Sequence, residues 1–276
     1  MANIYVIGEC AMDFIKNEGA GDKAYRRVPG GCAVNVAAEL GKLIKEQDIK
    51  ELTPAIIARV GDDSYGRAIT ESLESAGVNT AFLNTDVSST SVVYMDIDVY
   101  GQRNCAGRCS GADIELNESD VKDIKFTTAD ALCFTSGGFL SASSMKAHEC
   151  AVKKAVAAGA LICFDINIRE GLWKADKAKE LLTEYIRLAD IIKIKGHELR
   201  MLFEKPDINL LLKEAKGKVW VVHTDGFVEK HYKREGAGGE VATDIRLPER
   251  FYREVGMGDE LFAQIILKGM RTKERN

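Results

Sequence analysis

The sequence predicts a doubly wound α/β fold, in which a largely parallel sheet carries helices on both faces. The main observation is that short apolar runs of strand length alternate along the chain with longer runs of helical periodicity. A second observation is size, because 276 residues with 46% hydrophobic composition can bury the core of one large domain. We therefore expect residues 1–276 to form a single α/β domain, with a small β lid inserted in it.

The individual elements follow from this alternation in chain order. Short buried apolar runs predict strands at 4–7, 55–60, 131–134, 161–164, 191–194 and 219–222. Apolar residues spaced three and four apart predict helices at 30–43, 68–76, 147–158, 178–188 and after 259. Gly77 and Gly159 follow two of these helices, and glycine readily adopts the left-handed conformation that ends a helix.

One segment breaks the alternation and predicts the lid. Residues 91–99 are rich in β-branched residues and partly alternating, and Tyr100-Gly101 follows as a turn. Residues 23–28 could supply a partner strand. We expect a lid built from about 13–29 and 90–110 to cover the carboxyl edge of the main sheet, where such folds bind ligands. A lid of this kind would keep water away from a reacting group.

Composition excludes several classes of partner. The formal net charge is −4 and there is no long basic run, so nucleic acid and anionic membranes are poor candidates. No apolar run approaches the ~20 residues that span a bilayer. Met1 leads directly into the first predicted strand, and the seven cysteines are odd in number and scattered. These features predict no signal peptide and a cytoplasmic protein with reduced thiols.

The segment Gly256-Met257-Gly258-Asp259 precedes a helical run and is the most informative motif in the chain. Two glycines allow a tight turn, and the N–H groups at a helix N-terminus carry partial positive charge that suits phosphate. A carboxylate at Asp259 could also accept a proton from an attacking hydroxyl. Taken alone, the same pattern is more typical of an aspartate that only caps a helix.

Polar residues follow other predicted strands. Asp13 follows the first strand, where it could accept hydrogen bonds from two sugar hydroxyls or simply occupy a turn. Gly30-Gly31 could let the backbone approach a small polar ligand that Asn35 would bind, or could merely begin a helix. A further group alternates after the strand at 161–164 and should share one side of the chain: Asp165, Asn167 and Arg169.

Five segments together resemble the ribokinase-like (PfkB) family of carbohydrate kinases, and they extend over nearly the whole chain. They are GECAMD at 8–13, GGCAVNVA at 30–37, VGDDSYG at 60–66, DINIREGLW at 165–173 and GMGD at 256–259. The version at 165–173 is most similar to those of fructokinases and 2-keto-3-deoxygluconate kinases.

The resemblance implies a set of roles for residues of this chain. The residues implied in catalysis are Asp259, Gly256, Gly258 and Arg169. Those on the sugar side are Asp13, Gly30, Gly31, Asn35, Arg103, Arg108, Asp165 and Asn167. Those on the nucleotide side are Lys193, Lys195, Thr224, Gly226 and Met257, with Glu198 near a metal ion. The implied cofactors are ATP and Mg²⁺, and the resemblance also suggests a homodimer formed through the lid.

The sequence therefore predicts ATP-dependent phosphorylation of a primary hydroxyl of a small sugar or sugar acid. The alternative is a sugar-binding protein with a degenerate nucleotide site. It stays open because Met257 replaces the family's alanine and Lys195 replaces a neutral amide. Glu254 also places a negative charge near the glycine turn. A dinucleotide-dependent oxidoreductase is disfavoured, because Gly8 and Asp13 do not belong to a Gly-x-Gly-x-x-Gly pattern.

Overall fold

The computed structural model describes residues 1–16, 25–97, 103–139, 141–168, 175–215, 219–225, 228–234, 241–246 and 256–273. These residues form two β-sheets. Their strands are β1 (Ala2–Ile7), β2 (Ala11–Lys16), β3 (Tyr25–Gly30), β4 (Leu52–Gly61), β5 (Asn79–Asp86), β6 (Ser91–Ile97), β7 (Arg103–Cys109), β8 (Ala131–Thr135), β9 (Leu161–Asp165), β10 (Ile191–Lys195), β11 (Val219–Asp225), β12 (Val228–Arg234) and β13 (Val241–Arg246).

The larger sheet has nine strands in the order β13-β12-β11-β10-β9-β8-β1-β4-β5. All neighbours from β5 to β11 pair in parallel, and only β12 and β13 are antiparallel. From β1 the order runs to β4 and β5 on one side and to β8 and β9 on the other. The carboxyl ends of β1 and β8 therefore flank a topological switch point, where open α/β sheets form ligand crevices.

Helices cover both faces of this sheet. Their bounds are α1 (Cys32–Glu46), α2 (Ser64–Ala76), α3 (Ala142–Ala157), α4 (Ala175–Leu188), α5 (Gly196–Phe203), α6 (Ile208–Glu214) and α7 (Met257–Lys273). Apolar residues of α1, α2 and α7 form one core layer, and those of α3 to α6 form the other. The arrangement is the doubly wound architecture that the alternating sequence pattern predicts. None of the helices within the described residues has the length and apolarity needed to cross a membrane.

The predicted strands and helices are all present, with ends that differ by a few residues. The sequence analysis did not identify β2, which contains Asp13, nor β5, β12, β13, α5 and α6. Strands β5 and β13 lie at the edges of the sheet and carry polar residues, so their apolar pattern is weak. In β12, the buried residues include Glu229 and His231, which a pattern based on hydrophobicity does not mark as internal.

The smaller sheet has the order β3-β2-β6-β7 and corresponds to the lid. On one face, Phe14, Tyr25 and Tyr94 pack together, and the Phe14 ring also meets Tyr65 of α2 edge-on at a centroid distance of 5.9 Å. Because side chains alternate along a strand, Asp13 in β2 lies on the opposite face. The aromatic contacts thus anchor the lid to the domain and fix the side on which Asp13 lies.

Candidate active site

The site is built around the first turn of α1, which follows directly from the lid strand β3. Gly31 precedes α1 with φ of +90°, a conformation that residues with a side chain rarely adopt. A Cβ atom at this position would lie 2.5 Å from the carbonyl oxygen of Glu9, and one at Gly30 would overlap the carboxylate of Asp13. The glycine pair therefore allows the backbone of Glu9 and the carboxylate of Asp13 to lie directly against it, and Asp13 is buried there.

The glycine turn before α7 forms the second part of the site. Helix α7 begins at Met257, as the sequence predicts, and Asp259 lies in its first turn with 8% of its surface exposed. Gly256 has φ of +84°, and its carbonyl oxygen accepts the N–H of Glu260 at 2.8 Å. In an α-helix, the N–H groups of residues 257–259 have no helical partner, which makes this turn suited to an anion.

A hydrogen bond joins the two parts across 224 residues of sequence. The Asn35 side chain in α1 donates from Nδ2 to Oδ2 of Asp259 at 2.9 Å. Burial raises the pKa of Asp259, the Asn35 amide lowers it, and the charge of Asp165 raises it again. Lys193 and Lys195 both lower it, and the net pKa remains above its usual value. The contact brings the predicted sugar side and the predicted base into one site.

A buried ion pair lies beneath the glycine turn. The ammonium nitrogen of Lys193 on β10 lies 2.6 Å from Oδ2 of Asp165 on β9, and both side chains are almost fully buried. Burial lowers the pKa of Lys193, but the charges of Asp165 and Glu198 outweigh it, so the pKa is raised. A Cβ atom at Gly258 would lie 3.6 Å from the Lys193 nitrogen. The ammonium therefore touches the turn from inside the protein.

Asn167 is held in a fixed orientation beside this pair. Its φ is +37°, in the left-handed region that asparagine tolerates better than most residues. Its Nδ2 donates to the Cys32 sulfur at 3.1 Å, and the Lys195 ammonium donates to its Oδ1 at 3.4 Å. The Ser136 hydroxyl also donates to its carbonyl oxygen at 3.2 Å. Asn167 and Lys195 consequently lie next to the N-terminus of α1.

Glu198 in α5 ties two backbone segments together. Its Oε1 accepts the N–H of Ile168 at 3.0 Å, and its Oε2 accepts the N–H of Lys195 at 2.7 Å. Burial raises the pKa of Glu198 to about 7, opposed first by the charge of Lys195. Both carboxylate oxygens therefore hold the chain that positions Asn167, in addition to any role toward a metal ion.

The donor set bears on the predicted Mg²⁺. Among the residues that the structure describes, no cluster of three or more carboxylate, histidine or cysteine side chains could hold a metal ion. Mg²⁺ retains several waters and is commonly bound through one or two carboxylates together with substrate phosphates. Glu198 is fully buried and both of its carboxylate oxygens accept backbone N–H groups, so the described residues fit an ion that would be held mainly by the phosphates of a nucleotide.

The remaining predicted residues lie in different surroundings. Arg108 on β7 forms ion pairs with Glu9, at 3.0 Å, and with Asp113, so its charge ties the lid to the main domain. Thr224 on β11 is buried and lies opposite Lys195 in the strand register. The Met257 side chain is buried within the protein. Arg103 begins β7, but its side chain lies outside the described part of the chain, as do Arg169, Gly226 and the segment containing Glu254.

Sequence reasoning missed several partners within this site. Glu9 pairs with Arg108, and Cys32 accepts the Asn167 amide, but neither was assigned a role. The signal for Glu9 was present, since it directly follows β1 in the segment that leads to Asp13. Cys32 carried no such signal, because its contact is with a residue 135 positions away.

Comparison with known proteins agrees with this architecture. The profile described as pfkB family carbohydrate kinase matches residues 1–240. The structure of a Vibrio cholerae fructokinase, described with fructose, ADP and calcium ion, matches with a TM-score of 0.74 at 21% identity, covering 98% of this chain and 90% of the other. An Escherichia coli structure described as a complex with ATP and Mg²⁺ has a TM-score of 0.77 at 20% identity, covering 98% and 87%. The fold is thus ribokinase-like.

The family follows from sequence similarity. A protein of Arabidopsis thaliana named "Probable fructokinase-5" is 30% identical over 240 residues, which are 82% of this chain and 72% of the relative. Together with the profile match, this shows that the chain belongs to the pfkB family of carbohydrate kinases. The matched regions span between 53% and 73% of the length of eight curated relatives.

Proposed function

We propose that this protein phosphorylates a primary hydroxyl of a small sugar or sugar acid, using ATP as the donor. The observation that carries the proposal is the hydrogen bond between Asn35 and Asp259. It brings a residue of the predicted sugar side to the carboxylate at the start of α7, beside the glycine turn. Transfer of a phosphoryl group to an alcohol needs a base for the alcohol and positive groups for the phosphoryl oxygens, both in one place.

The acceptor side would work as follows. The carboxylate of Asp13, facing inward from the lid, accepts hydrogen bonds from sugar hydroxyls, and Asn35 contributes an amide. Asp259 takes the proton of the attacking hydroxyl. Its raised pKa, caused first by burial, makes it a better proton acceptor than an exposed aspartate. The lid would keep bulk water away from the donor during transfer.

The donor side would use the N–H groups of residues 257–259, which face a site suited to the transferred phosphoryl oxygens. Lys195, which is only half-buried and lies beside Asn167, supplies a cation for the donor phosphates. Thr224, adjacent to Lys195 across the strands, lies on the same side. Mg²⁺ would neutralise phosphate charge, and Glu198 would act on it indirectly, by holding the backbone of Lys195 and Ile168 beside the donor phosphates. Roles for Arg103, Arg169 and Gly226 remain part of the proposal, as does a homodimer through the lid.

The location that we propose is the cytoplasm. The seven cysteines are all free of disulfide bonds, and four of them are buried: Cys10, Cys32, Cys133 and Cys163. Reduced thiols of this kind are typical of a reducing compartment.

The deciding experiment measures ADP release with a panel of ketoses, aldoses and sugar acids, with and without Mg²⁺. We expect at least one sugar to give Mg²⁺-dependent ADP release and to raise the melting temperature. The Asp259→Asn variant should lose about 10²–10⁴-fold in turnover, as expected for a general base, while sugars still stabilise it.

Two outcomes would contradict the proposal. Thermal stabilisation by sugars without ADP release, across the whole panel, would favour a sugar-binding protein with an inactive nucleotide site. Turnover of the Asp259→Asn variant within about tenfold of the unaltered protein would exclude Asp259 as the general base.

A further inference from the structure

The ion pair of Lys193 and Asp165 lies directly beneath the glycine turn that carries Asp259. We propose, on the basis of the proposed function, that Lys193 is a positioning residue that acts through Asp259 and the glycine turn without touching the nucleotide. Its side chain has no exposed surface, so an ammonium–phosphate contact would require it to leave its place in the core. Its influence on a phosphoryl group must pass through the turn that it supports.

The geometry places this charge between the sheet and the turn. Lys193 and Asp165 are direct neighbours in the register of β10 and β9, which fixes the ion pair at 2.6 Å. The ammonium also lies close to Gly258, where a Cβ atom would be 3.6 Å from the nitrogen. The ammonium thus supports the same turn from which Asp259 and the free N–H groups project. Positive charge at this point favours an ionised Asp259 and the negative charge that develops at the turn during transfer.

The charges around Asp259 show why the ammonium is needed. Asp165 acts on Asp259 from β9 and Lys193 and Lys195 act on it from β10, while Glu198 of α5 acts on Lys193. Helix α1 contributes the neutral Asn35, which donates to Asp259, and α7 itself contributes Glu260, the next residue along the chain.

Without Lys193, three buried carboxylates would share only the half-buried Lys195. Asp165 would be affected most, because its other oxygen, Oδ1, has no hydrogen-bond partner within the described residues. Like charges at this density favour protonation of one of the carboxylates. Lys193 therefore keeps Asp259 ionised at a lower pH than the neighbouring Asp165 carboxylate alone would allow.

A simple structural pair would behave differently when altered. If the pair only filled the space between β9 and β10, replacing both members by neutral residues would change stability alone. If Lys193 acts through Asp259, removal of the cation must also move the pH at which the base becomes protonated. Removal of Asp165 must move it in the opposite direction, because that carboxylate opposes ionisation of Asp259.

The test is a pH–rate profile of kcat for three variants with saturating sugar and ATP. Lys193→Met should shift the acid limb upward by about one to three pH units, the range for loss of an opposite charge at close distance. Asp165→Asn should shift it downward, and the double variant should return it close to its original position. The KM for ATP should change by no more than about twofold.

Lys193→Met could fail to fold, because it leaves a carboxylate buried and unpaired. The acid limb of Asp165→Asn is then compared with that of the double variant. This comparison measures the effect of removing Lys193 in a protein that has no unpaired carboxylate at position 165. An acid limb that stays in place in this step, or an ATP KM that rises tenfold or more in it, would overturn the proposal.

A second measurement does not depend on kinase activity. If the protein shows no turnover, the proposed function is refuted, but this measurement still tests the coupling of Lys193 to Asp259. Denaturant unfolding of the unaltered protein, Lys193→Met, Asp259→Asn and their combination gives the coupling between the two sites. We expect Asp259→Asn to be more favourable for stability when Lys193 is absent. The matched control is Lys154→Met, whose ammonium contacts the carbonyl oxygens of Val121 and Lys122 on the other face of the sheet. A coupling energy between Lys193→Met and Asp259→Asn that is no larger than the coupling energy between Lys154→Met and Asp259→Asn would contradict the inference.

Discussion

Glu198 allows a quantitative prediction about the pH dependence of folding. In the folded protein, burial raises its pKa from 4.5 to about 7. The folded state therefore binds more protons than the unfolded state between these two pH values, and stability falls as pH rises through this range. One pKa unit corresponds to 1.36 kcal/mol, so the whole change amounts to about 3 kcal/mol.

The perturbation that isolates this group is Glu198→Gln, since glutamine resembles the protonated carboxyl and does not titrate. Other buried acids contribute in the same direction, namely Asp113 and Asp259, while the lowered pKa of His148, about 4, contributes in the opposite direction. The comparison of the unaltered protein with the variant removes these shared contributions.

Urea unfolding at pH 5 and pH 8 provides the assay. The unaltered protein should lose about 2.5 kcal/mol more than Glu198→Gln between these two pH values, slightly less than the whole change because pH 5 lies above the unfolded pKa. The difference between pH values matters here, because the variant also changes the hydrogen bonds to the N–H groups of Ile168 and Lys195 at every pH. The same pH dependence in both proteins would refute the reasoning and would mean that the two N–H donors keep Glu198 ionised.

Three further predictions concern the site. Gly256→Ala should lower the free energy of unfolding in urea by about 1–2 kcal/mol, because φ at this position is +84°. Gly258→Ala should lower it less, because its Cβ would meet nothing closer than 3.6 Å, and equal losses in the two variants would contradict this. Lys195→Met should raise the KM for ATP about tenfold or more, because a charged contact is lost, while sugar-induced thermal stabilisation persists. An unchanged KM for ATP together with lost sugar-induced stabilisation would exclude a phosphate contact. Gly30→Ala should displace the Asp13 carboxylate and abolish sugar-induced stabilisation in a thermal shift assay, and retained stabilisation would contradict a sugar contact at Asp13.

The sequence was informative wherever structure depends on neighbouring residues. Most parallel strands of the larger sheet are apolar because both of their faces are covered, so they could be predicted from short apolar runs in the sequence. The start of α7 followed from its glycines and the helical spacing after them. Strand β12 was missed because His231 is buried as a polar residue, with its Nε2 hydrogen-bonded to Glu229 and its Nδ1 accepting the Trp220 indole N–H at 3.0 Å. Such compensated polar residues do not appear in a hydrophobic pattern.

The candidate site shows the same division. Its glycines and carboxylates could be selected from short motifs, because tight turns and helix starts are local features. The burial and the partner of each charged side chain could not be predicted from short motifs. Lys195 and Lys193 alternate on one strand and look equivalent in the sequence, yet Lys195 is half-buried beside Asn167 and Lys193 is fully enclosed with Asp165. Only the packing of α7 over the sheet distinguishes them.

The sequence by itself determined the doubly wound fold, the lid and the resemblance to the pfkB family, because periodicity, turns and motifs depend on residues that are close along the chain. The tertiary structure alone decided that Asn35 bonds to Asp259 across 224 residues and that the ammonium of Lys193 lies under Gly258. Contacts of this kind, and the burial that shifts a pKa, arise only when distant segments pack together and exclude water.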